Sequence, residues 1–259
     1  MPQNTLTYLI TGASSGVGAA IARHLARPGT KLILQARNAV RLEEVADACR
    51  RSGAAVEIAC GDLADKDALL QLAADVGGHP IDEAYLCAGL GDMRAPGRKV
   101  EDARATFAVA SVNFTATVTL ATVIADAMVM RGRGQIVMIG SVAGAFALAM
   151  APTYSASKAG LRIFAESLGD GLAAHNIGVT HIALGFVDTP MSQRLDCWKP
   201  GMLTPETAAS RIVDAARKNC RSISIPAWFG PVQWVGRLAP PVLRRSIFAR
   251  LGVAQSPRG

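Results

Sequence analysis

The chain has 259 residues, of which half are hydrophobic and 18% are charged, so a sizeable apolar core is available. No uninterrupted apolar run reaches the roughly 18 residues that span a bilayer, and residues 1–4 lack the pattern of a signal peptide, so we expect a cytoplasmic protein. The net charge of +7 suits a polyanionic cofactor, and because the arginines are dispersed, no nucleic-acid partner is predicted.

Short apolar segments alternate with segments of helical periodicity along the chain, which predicts a parallel sheet covered by helices on both faces. Predicted strands cover residues 7–10, 32–35, 56–59, 84–87, 135–139, 179–184 and 222–225, and predicted helices cover 17–26, 42–49, 68–76, 103–130, 154–174 and 204–220. Without a repeat or a flexible linker, this pattern indicates a single Rossmann-type doubly wound α/β domain over residues 1–225, followed by a C-terminal tail over 226–259.

A glycine-rich turn connects the first strand to the first helix. Gly12 permits a tight turn, Gly16 allows backbone N–H groups to approach a pyrophosphate, and Gly18 lets the helix pack against the strand. The helix N-terminus then presents its dipole and free N–H groups to the phosphates. Such glycines also occur in ordinary turns, but their place between a strand and a helix favours a nucleotide site.

The end of the second strand indicates which dinucleotide is bound. Ala36 stands where an acidic residue would bind the ribose 2′-hydroxyl and repel a 2′-phosphate. Arg37, next to it, could pair with the 2′-phosphate, although it could also be an ordinary surface arginine. We therefore predict that NADP(H) is favoured over NAD(H).

Three positions in the second half of the chain suggest proton-transfer chemistry. Tyr154 and Lys158 share one helix face, where an ammonium group can lower the pKa of a phenol. Ser141 follows a strand, at the sheet edge where open α/β folds bind ligands. Asn113 lies among apolar neighbours in a helix, where a helix-bending structural role and a water relay are both open.

Taken together, these motifs resemble the short-chain dehydrogenase/reductase family over about residues 5–225. The matching positions are the T-G-x-x-x-G-x-G of Thr11 to Gly18, the acidic Asp62, the helix Asn113, the serine Ser141, the Y-x-x-x-K of Tyr154 and Lys158, and the segment from Gly185 to Pro190. Two features depart from the family pattern. The usual N-N-A-G is Leu86-Cys87-Ala88-Gly89, which leaves the stiffness of the wall beside the cofactor in doubt, and Leu184 replaces a proline.

The resemblance implies hydride transfer between NADP(H) and a carbonyl or secondary alcohol. Tyr154 would be the general acid or base, Lys158 would lower its pKa and bind the nicotinamide ribose, and Ser141 would orient the carbonyl. Asn113 would hold a water that links Lys158 to solvent. The implied cofactor-binding residues are Gly12, Ser14, Ser15, Gly16, Val17, Gly18, Arg37, Asp62, Leu63, Ala88, Gly89, Tyr154, Lys158, Gly185, Val187 and Thr189. No metal site is predicted, because the cysteines and histidines do not cluster.

Three segments are predicted to form the substrate pocket: residues 90–98, residues 142–150 and a lid-like stretch over 191–203. Their large apolar side chains favour an apolar substrate, although each could equally serve packing; these are Phe146, Leu148, Met191, Leu195, Trp198 and Met202. Arg94 and Arg194 could bind an acidic substrate or lie on the surface.

The tail is too rich in aromatic side chains, with Trp228, Phe229 and Trp234, for a loose terminus. A helix from about Val242 would carry an apolar face edged by arginines, formed by Leu243, Ile247 and Leu251 with Arg244, Arg245 and Arg250. We expect this tail to dock on its own domain or on a partner subunit, with contact to a membrane surface as the less favoured alternative.

The resemblance also implies a homodimer or homotetramer that pairs through the helices at 103–130 and 154–174. Ala156, Ala159 and Ala165 would let those helices approach closely.

A non-catalytic module that senses NADPH or scaffolds a complex is the alternative function, and the presence of both Ser141 and Tyr154 argues against it. An isomerase or epimerase on the same fold is a nearer alternative, but such relatives usually have a larger C-terminal substrate region.

Overall fold

The structure, a computed structural model, describes residues 5–91, 93–95, 97–238 and 254–255, with side chains as far as residue 233. In chain order its main elements are β1 (Leu6–Thr11), α1 (Gly16–Leu25), β2 (Thr30–Ala36), α2 (Ala39–Arg51), β3 (Ala55–Cys60), α3 (Lys66–Gly77), β4 (Glu83–Leu86), α4 (Ala103–Ala110), α5 (Thr117–Arg131), β5 (Gly134–Ile139), α6 (Pro152–Leu172), β6 (Ile177–Leu184), α7 (Pro190–Gln193), β7 (Leu195–Asp196), α8 (Pro205–Arg217), β8 (Ser222–Ile225), α9 (Phe229–Leu238) and β9 (Ala254–Gln255).

Seven of these strands form one parallel sheet in the order β3-β2-β1-β4-β5-β6-β8. The chain moves outward from β1 to β3 and then returns to the other side of β1 with β4. The carboxyl ends of β1 and β4 therefore flank the point where the strand order reverses, which is where open α/β sheets bind ligands. The predicted doubly wound α/β fold is confirmed.

Each face of the sheet is covered by its own apolar cluster. Ile21, Leu42 and Ile212 bring α1, α2 and α8 to one cluster. Leu72 and Leu120, together with side chains of α6, form the other cluster with α3 and α5. Helices on both faces explain why the central strands are almost continuously apolar, since neither side of these strands meets water.

The predicted long helix over 103–130 is interrupted in the structure. A π-helical turn at Ser111–Ala116 separates α4 from α5. Among the described helices, only this stretch, Ala103–Arg131, is long and apolar enough to cross a membrane by length and composition. Its inward side chains, including Leu120, Ile124 and Met128, pack in the second cluster, so it serves as a core helix of the sheet.

One of the three alanines expected at a helix interface is placed elsewhere. Ala165 is buried in the second core cluster, whereas Ala156 is exposed. The spacing of the three alanines did not separate the core-facing side of α6 from its outer side, and Ala165, 3% exposed, presents almost no surface to a second subunit.

The described part of the C-terminal segment lies on the domain. Gln233 of α9 donates from Nε2 to Ser224 Oγ of β8 at 2.9 Å. The two-residue strand β9 pairs antiparallel with β7, so that Leu195 faces Gln255 in the register. The helix predicted from Val242, with its leucines and arginines, lies outside the described residues.

Candidate active site

The glycine turn after β1 is built by close backbone packing. Gly12 has a φ of +66°, and a Cβ on it would lie 2.9 Å from the Cα of Ala88. A Cβ on Gly18 would collide with the carbonyl oxygen of Gly12. The Ala88 N–H donates to Thr11 Oγ1 at 3.0 Å, so the turn and the wall after β4 are held together.

Helix α1 begins with its backbone donors directed at the cleft. Ser15 at the N-cap is extended and makes no side-chain capping bond, and the first turn contains no acidic residue. The first N–H groups of a helix have no acceptor within the helix, and the dipole favours an anion there. This end of the cleft therefore fits the pyrophosphate of a dinucleotide.

The adenosine end of the cleft contains two guanidinium groups. Arg37 follows β2 directly, and Arg41 lies in the first turn of α2. Arg37 Nη1 is 3.8 Å from Asp62 Oδ2, and both side chains are exposed. Asp62 is steadied by the Ala64 N–H, which donates to its Oδ1 at 2.9 Å. A ligand phosphate at this place would meet two cations and only one carboxylate.

Lys158 is buried beneath the centre of the cleft. Its Nζ donates to the Ile139 carbonyl oxygen at 2.8 Å and lies 6.0 Å from the centre of the Tyr154 ring. Burial lowers the pKa of Lys158 to about 8, and the interaction with Cys87 acts in the opposite direction. Burial also raises the pKa of the Cys87 thiol to about 12, which keeps the thiol neutral.

Tyr154 and Ser141 meet in the cleft. Burial raises the pKa of the Tyr154 phenol, and its side-chain hydrogen bond with Ser141 lowers it by less. The net direction is opposite to the one expected from Lys158 alone, because desolvation outweighs the favourable contacts. The phenol is thus protonated near neutral pH. The Ala143 N–H donates to Ser141 Oγ at 3.1 Å and fixes the position of that hydroxyl.

Asn113 is fully buried in the π-helical turn and does not line the cleft. Its Oδ1 accepts from the Leu90 N–H at 2.6 Å, and its Nδ2 donates to the Leu90 carbonyl at 2.9 Å. Nδ2 also lies 3.4 Å from Ser157 Oγ. A Cβ on Gly89 would be 3.4 Å from Asn113 Oδ1 and 3.6 Å from Lys158 Nζ, so the amide lies close to the lysine. Its direct contacts anchor the segment after β4.

The segment from Gly185 to Pro190, which matches the family pattern, leads into a stretch that lines the cleft, here called the cover (residues 189–203). Thr189 caps the short helix α7 in a reciprocal arrangement with Ser192. Ser192 Oγ also donates to the Val187 carbonyl at 2.5 Å, which holds this turn beside the cleft.

One cleft of about 1060 Å³ joins these parts. All sixteen predicted cofactor-binding residues line it, and so does Ser141. The donors at α1 and the glycine cradle fit a nicotinamide dinucleotide. All three predicted pocket segments contribute to the lining, but neither Arg94 nor Arg194 does; Arg94 instead donates to the Lys99 carbonyl at 2.9 Å.

Some lining residues were not predicted from the sequence. Arg41 lies just before the predicted helix over 42–49 and belongs to no motif, and the Ile139 carbonyl is a backbone group that no side-chain motif marks. Phe229 and Val232 of α9 were assigned to a tail, and only the aromatic content of that tail hinted that it packs on the domain.

Comparisons of the sequence and of the structure with known proteins point to the same protein family. A family model described as short chain dehydrogenase matches residues 7–200. An uncharacterized oxidoreductase of Mycobacterium tuberculosis is 34% identical over 238 residues, which is 90% of this chain and 93% of that protein. A short-chain dehydrogenase from Sphingobium yanoikuyae in complex with NADPH superposes with a TM-score of 0.81 at 27% identity, covering 97% of this chain and 98% of the other. One from Mycobacterium paratuberculosis bound to NAD shares the fold, with a TM-score of 0.73 at 22% identity over 86% and 97% of the chains. The cleft, its glycine turn and these matches together show that the chain belongs to the short-chain dehydrogenase/reductase family of oxidoreductases.

Proposed function

We propose that this oxidoreductase transfers a hydride between NADP(H) and a carbonyl compound or secondary alcohol, with Tyr154 as the general acid or base. The observation that carries the proposal is the contact of Tyr154 with Ser141 inside the cleft, with Lys158 buried beside the phenol. A hydride acceptor placed against these groups would have a proton donor and an orienting hydroxyl at its oxygen atom.

The nicotinamide, when bound, supplies or accepts the hydride. In reduction, the protonated phenol of Tyr154 donates its proton to the substrate oxygen as that oxygen gains charge. Ser141 Oγ already accepts the Ala143 N–H, so its own hydrogen can be donated to the same oxygen or to the phenol. In oxidation, the phenolate form of Tyr154, which the positive charge of Lys158 favours, accepts the proton of the alcohol and becomes the neutral phenol.

The proposed cofactor preference for NADP(H) rests on charge at the adenosine end. Arg37 and Arg41 line this end, and Ala36 places no carboxylate at the end of β2. Asp62 lies near Arg37, but at 3.8 Å and with both groups exposed this ion pair is weak and can open to admit a phosphate.

A direct test is to screen ketones, aldehydes and alcohols with NADPH or NADP and to monitor each reaction by the absorbance of the reduced nicotinamide. Tyr154→Phe removes the phenol oxygen but keeps the ring, so we expect turnover to vanish while NADPH still binds. Ser141→Ala should lower turnover strongly but less completely. Near-normal rates in Tyr154→Phe would exclude this residue as the acid or base. NADPH binding without turnover of any compound by the wild-type chain would support the alternative, a cofactor-sensing or scaffold module.

A further inference from the structure

Charged side chains are distributed unevenly along the cleft. Among its described lining residues, the formal charges are those of Arg37, Arg41, Asp62 and Lys158. The first three lie at the adenosine end, and Lys158 is held below the cleft by the Ile139 carbonyl. On the far side of Tyr154, no described lining residue carries a charge. An ionised substrate group there would lose its water without gaining a counter-ion from the described lining.

Apolar side chains from separate parts of the chain meet at this uncharged end. Phe146, Leu148 and Met150 come from the segment after β5, and Met191 and Trp198 come from the cover. Met191 is 37% exposed and Trp198 is 76% exposed, so they present apolar surface that the rest of the described chain leaves uncovered. An exposed apolar surface that lines a cleft is typical of a ligand-binding groove.

Helix α9 supplies the remaining wall. Phe229 and Val232 lie three residues apart on one helix face, and both line the cleft. The Phe229 ring packs against Gly185 and stacks on Trp228 with centroids 3.8 Å apart, while Gln233 bonds to Ser224 on β8. These contacts fix the helix against the sheet, so Val232, 45% exposed, is held at the mouth of the cleft rather than on a loose terminus.

We propose that the substrate end of this cleft selects uncharged carbonyl compounds or alcohols with a sizeable apolar group, and that Val232 of α9 and Met191 of the cover determine this selectivity. This inference rests on the proposed hydride transfer at Tyr154. It adds the substrate class and assigns specificity to the C-terminal helix, which lies outside the segment that the family model matches.

The experiment compares two substrate series with NADPH: methyl ketones of increasing chain length, and keto acids of the same lengths that end in a carboxylate. We expect kcat/KM to rise about fourfold for each added methylene group in the ketone series until the pocket is filled. Each keto acid should be at least about 100-fold poorer than its ketone, because its carboxylate would be buried without a partner.

Charge-introducing variants test the two selectivity residues. Val232→Lys and Met191→Lys should each lower kcat/KM for the longest ketone at least about tenfold and should raise it for the matching keto acid, since the new ammonium can pair with the carboxylate. NADPH affinity should not change. Leu70→Lys is the matched control, because Leu70 is a 49% exposed side chain on α3 and does not line the cleft; it should leave both series unchanged.

The outcomes separate this inference from the proposed function. Turnover of keto acids equal to or better than that of ketones, or Lys variants that reduce both series equally, would overturn the selectivity assignment while hydride transfer stands. If the wild-type chain turns over neither these series nor any other carbonyl compound or alcohol with either nicotinamide, the proposed function fails and the selectivity inference fails with it.

Discussion

Arg37 carries the proposed choice between two cofactors that differ by a single phosphate. It follows β2 directly, shares the end of the cleft with Arg41, and has only a long, exposed contact with Asp62. A guanidinium group held at this place binds a phosphate through charge-assisted hydrogen bonds, and a ribose hydroxyl offers it far less.

Arg37→Ala should weaken NADPH binding by about 1.5 to 3 kcal/mol, which corresponds to a factor of about 10 to 150 in Kd, and leave NADH binding nearly unchanged. Titration calorimetry with both cofactors measures this. Arg51→Ala is the control, since Arg51 is an exposed residue at the end of α2 that does not line the cleft. Equal losses for NADPH and NADH in Arg37→Ala would contradict the preference.

Lys158 predicts a specific pH dependence of stability. Its pKa is about 8 in the folded chain and 10.5 in the unfolded chain, so the folded state carries the full cost of a buried charge below pH 8. Between pH 8 and 10.5 the folded lysine loses its proton while the unfolded one retains it, and this cost declines as the pH rises.

Lys158→Met keeps the side-chain length and removes the charge. Because the variant avoids the cost of the buried charge, we expect its free energy of unfolding to exceed that of the wild type. This excess should shrink by about 2 kcal/mol between about pH 7 and pH 9.5. Urea denaturation at both pH values measures the difference, and the exposed Lys218 provides the control variant Lys218→Met. A difference that stays constant with pH would show that Lys158 does not titrate in this range.

At the level of secondary structure elements, the π-helical turn between α4 and α5 has a clear structural effect. The wider turn accommodates Asn113, and both ends of its amide bond to the backbone of Leu90. This connects the long core helix to the segment after β4, which forms the wall beside Lys158. The two asparagines of the family's usual N-N-A-G are absent from this wall, but the side-chain amide of Asn113 holds the same wall through the backbone of Leu90.

Asn113→Ala should lower the free energy of unfolding by on the order of 3 kcal/mol, because two partly buried hydrogen bonds disappear and the Leu90 groups lose their partners. Thr117→Val, which removes one 3.3 Å bond to the Val112 carbonyl in the same helical region, is the control and should cost less. Chemical denaturation together with kcat separates the two open roles. Unchanged stability with a reduced kcat would favour the water relay over the structural clamp.

Local spacing or a motif in the sequence predicts the long strands, the glycine turn, and the group formed by Tyr154, Lys158 and Ser141. The π-helical turn was missed because it shifts backbone hydrogen bonds by one residue without changing the apolar pattern. The pairing of β7 with β9 was missed because two-residue strands have no periodicity and their partner is remote in sequence. The position of α9 depends on packing against Gly185 and Ser224, which no local signal reveals.

At the level of the whole molecule, α4 and α6 lie side by side and leave large apolar side chains uncovered. Phe107 of α4 is 68% exposed, and Ile163 of α6 is 51% exposed. Exposed apolar surface on adjacent helices is typical of a subunit interface. These residues, rather than Ala165, are the ones that we expect to lie between subunits of a homodimer or homotetramer.

Light scattering should therefore give a mass of at least about 54 kDa, twice the 27.0 kDa of one chain, at micromolar concentration. The double variant Phe107→Glu with Ile163→Glu should shift the mass to that of a monomer, because like charges would be buried in the interface. Leu70→Glu on α3 is the control and should leave the assembly intact. A wild-type monomer at this concentration would contradict the prediction.

The pairing of β7 with β9 also sets an order of assembly during protein synthesis. The glycine turn, Arg37, Tyr154 and the strands through β6 all precede the cover in the chain, whereas β9 is among the last residues described. A ribosome must therefore extend the chain as far as Gln255 before the cover gains its second strand. The segments that line the nucleotide half of the cleft are thus synthesised before the strand that pairs with the cover.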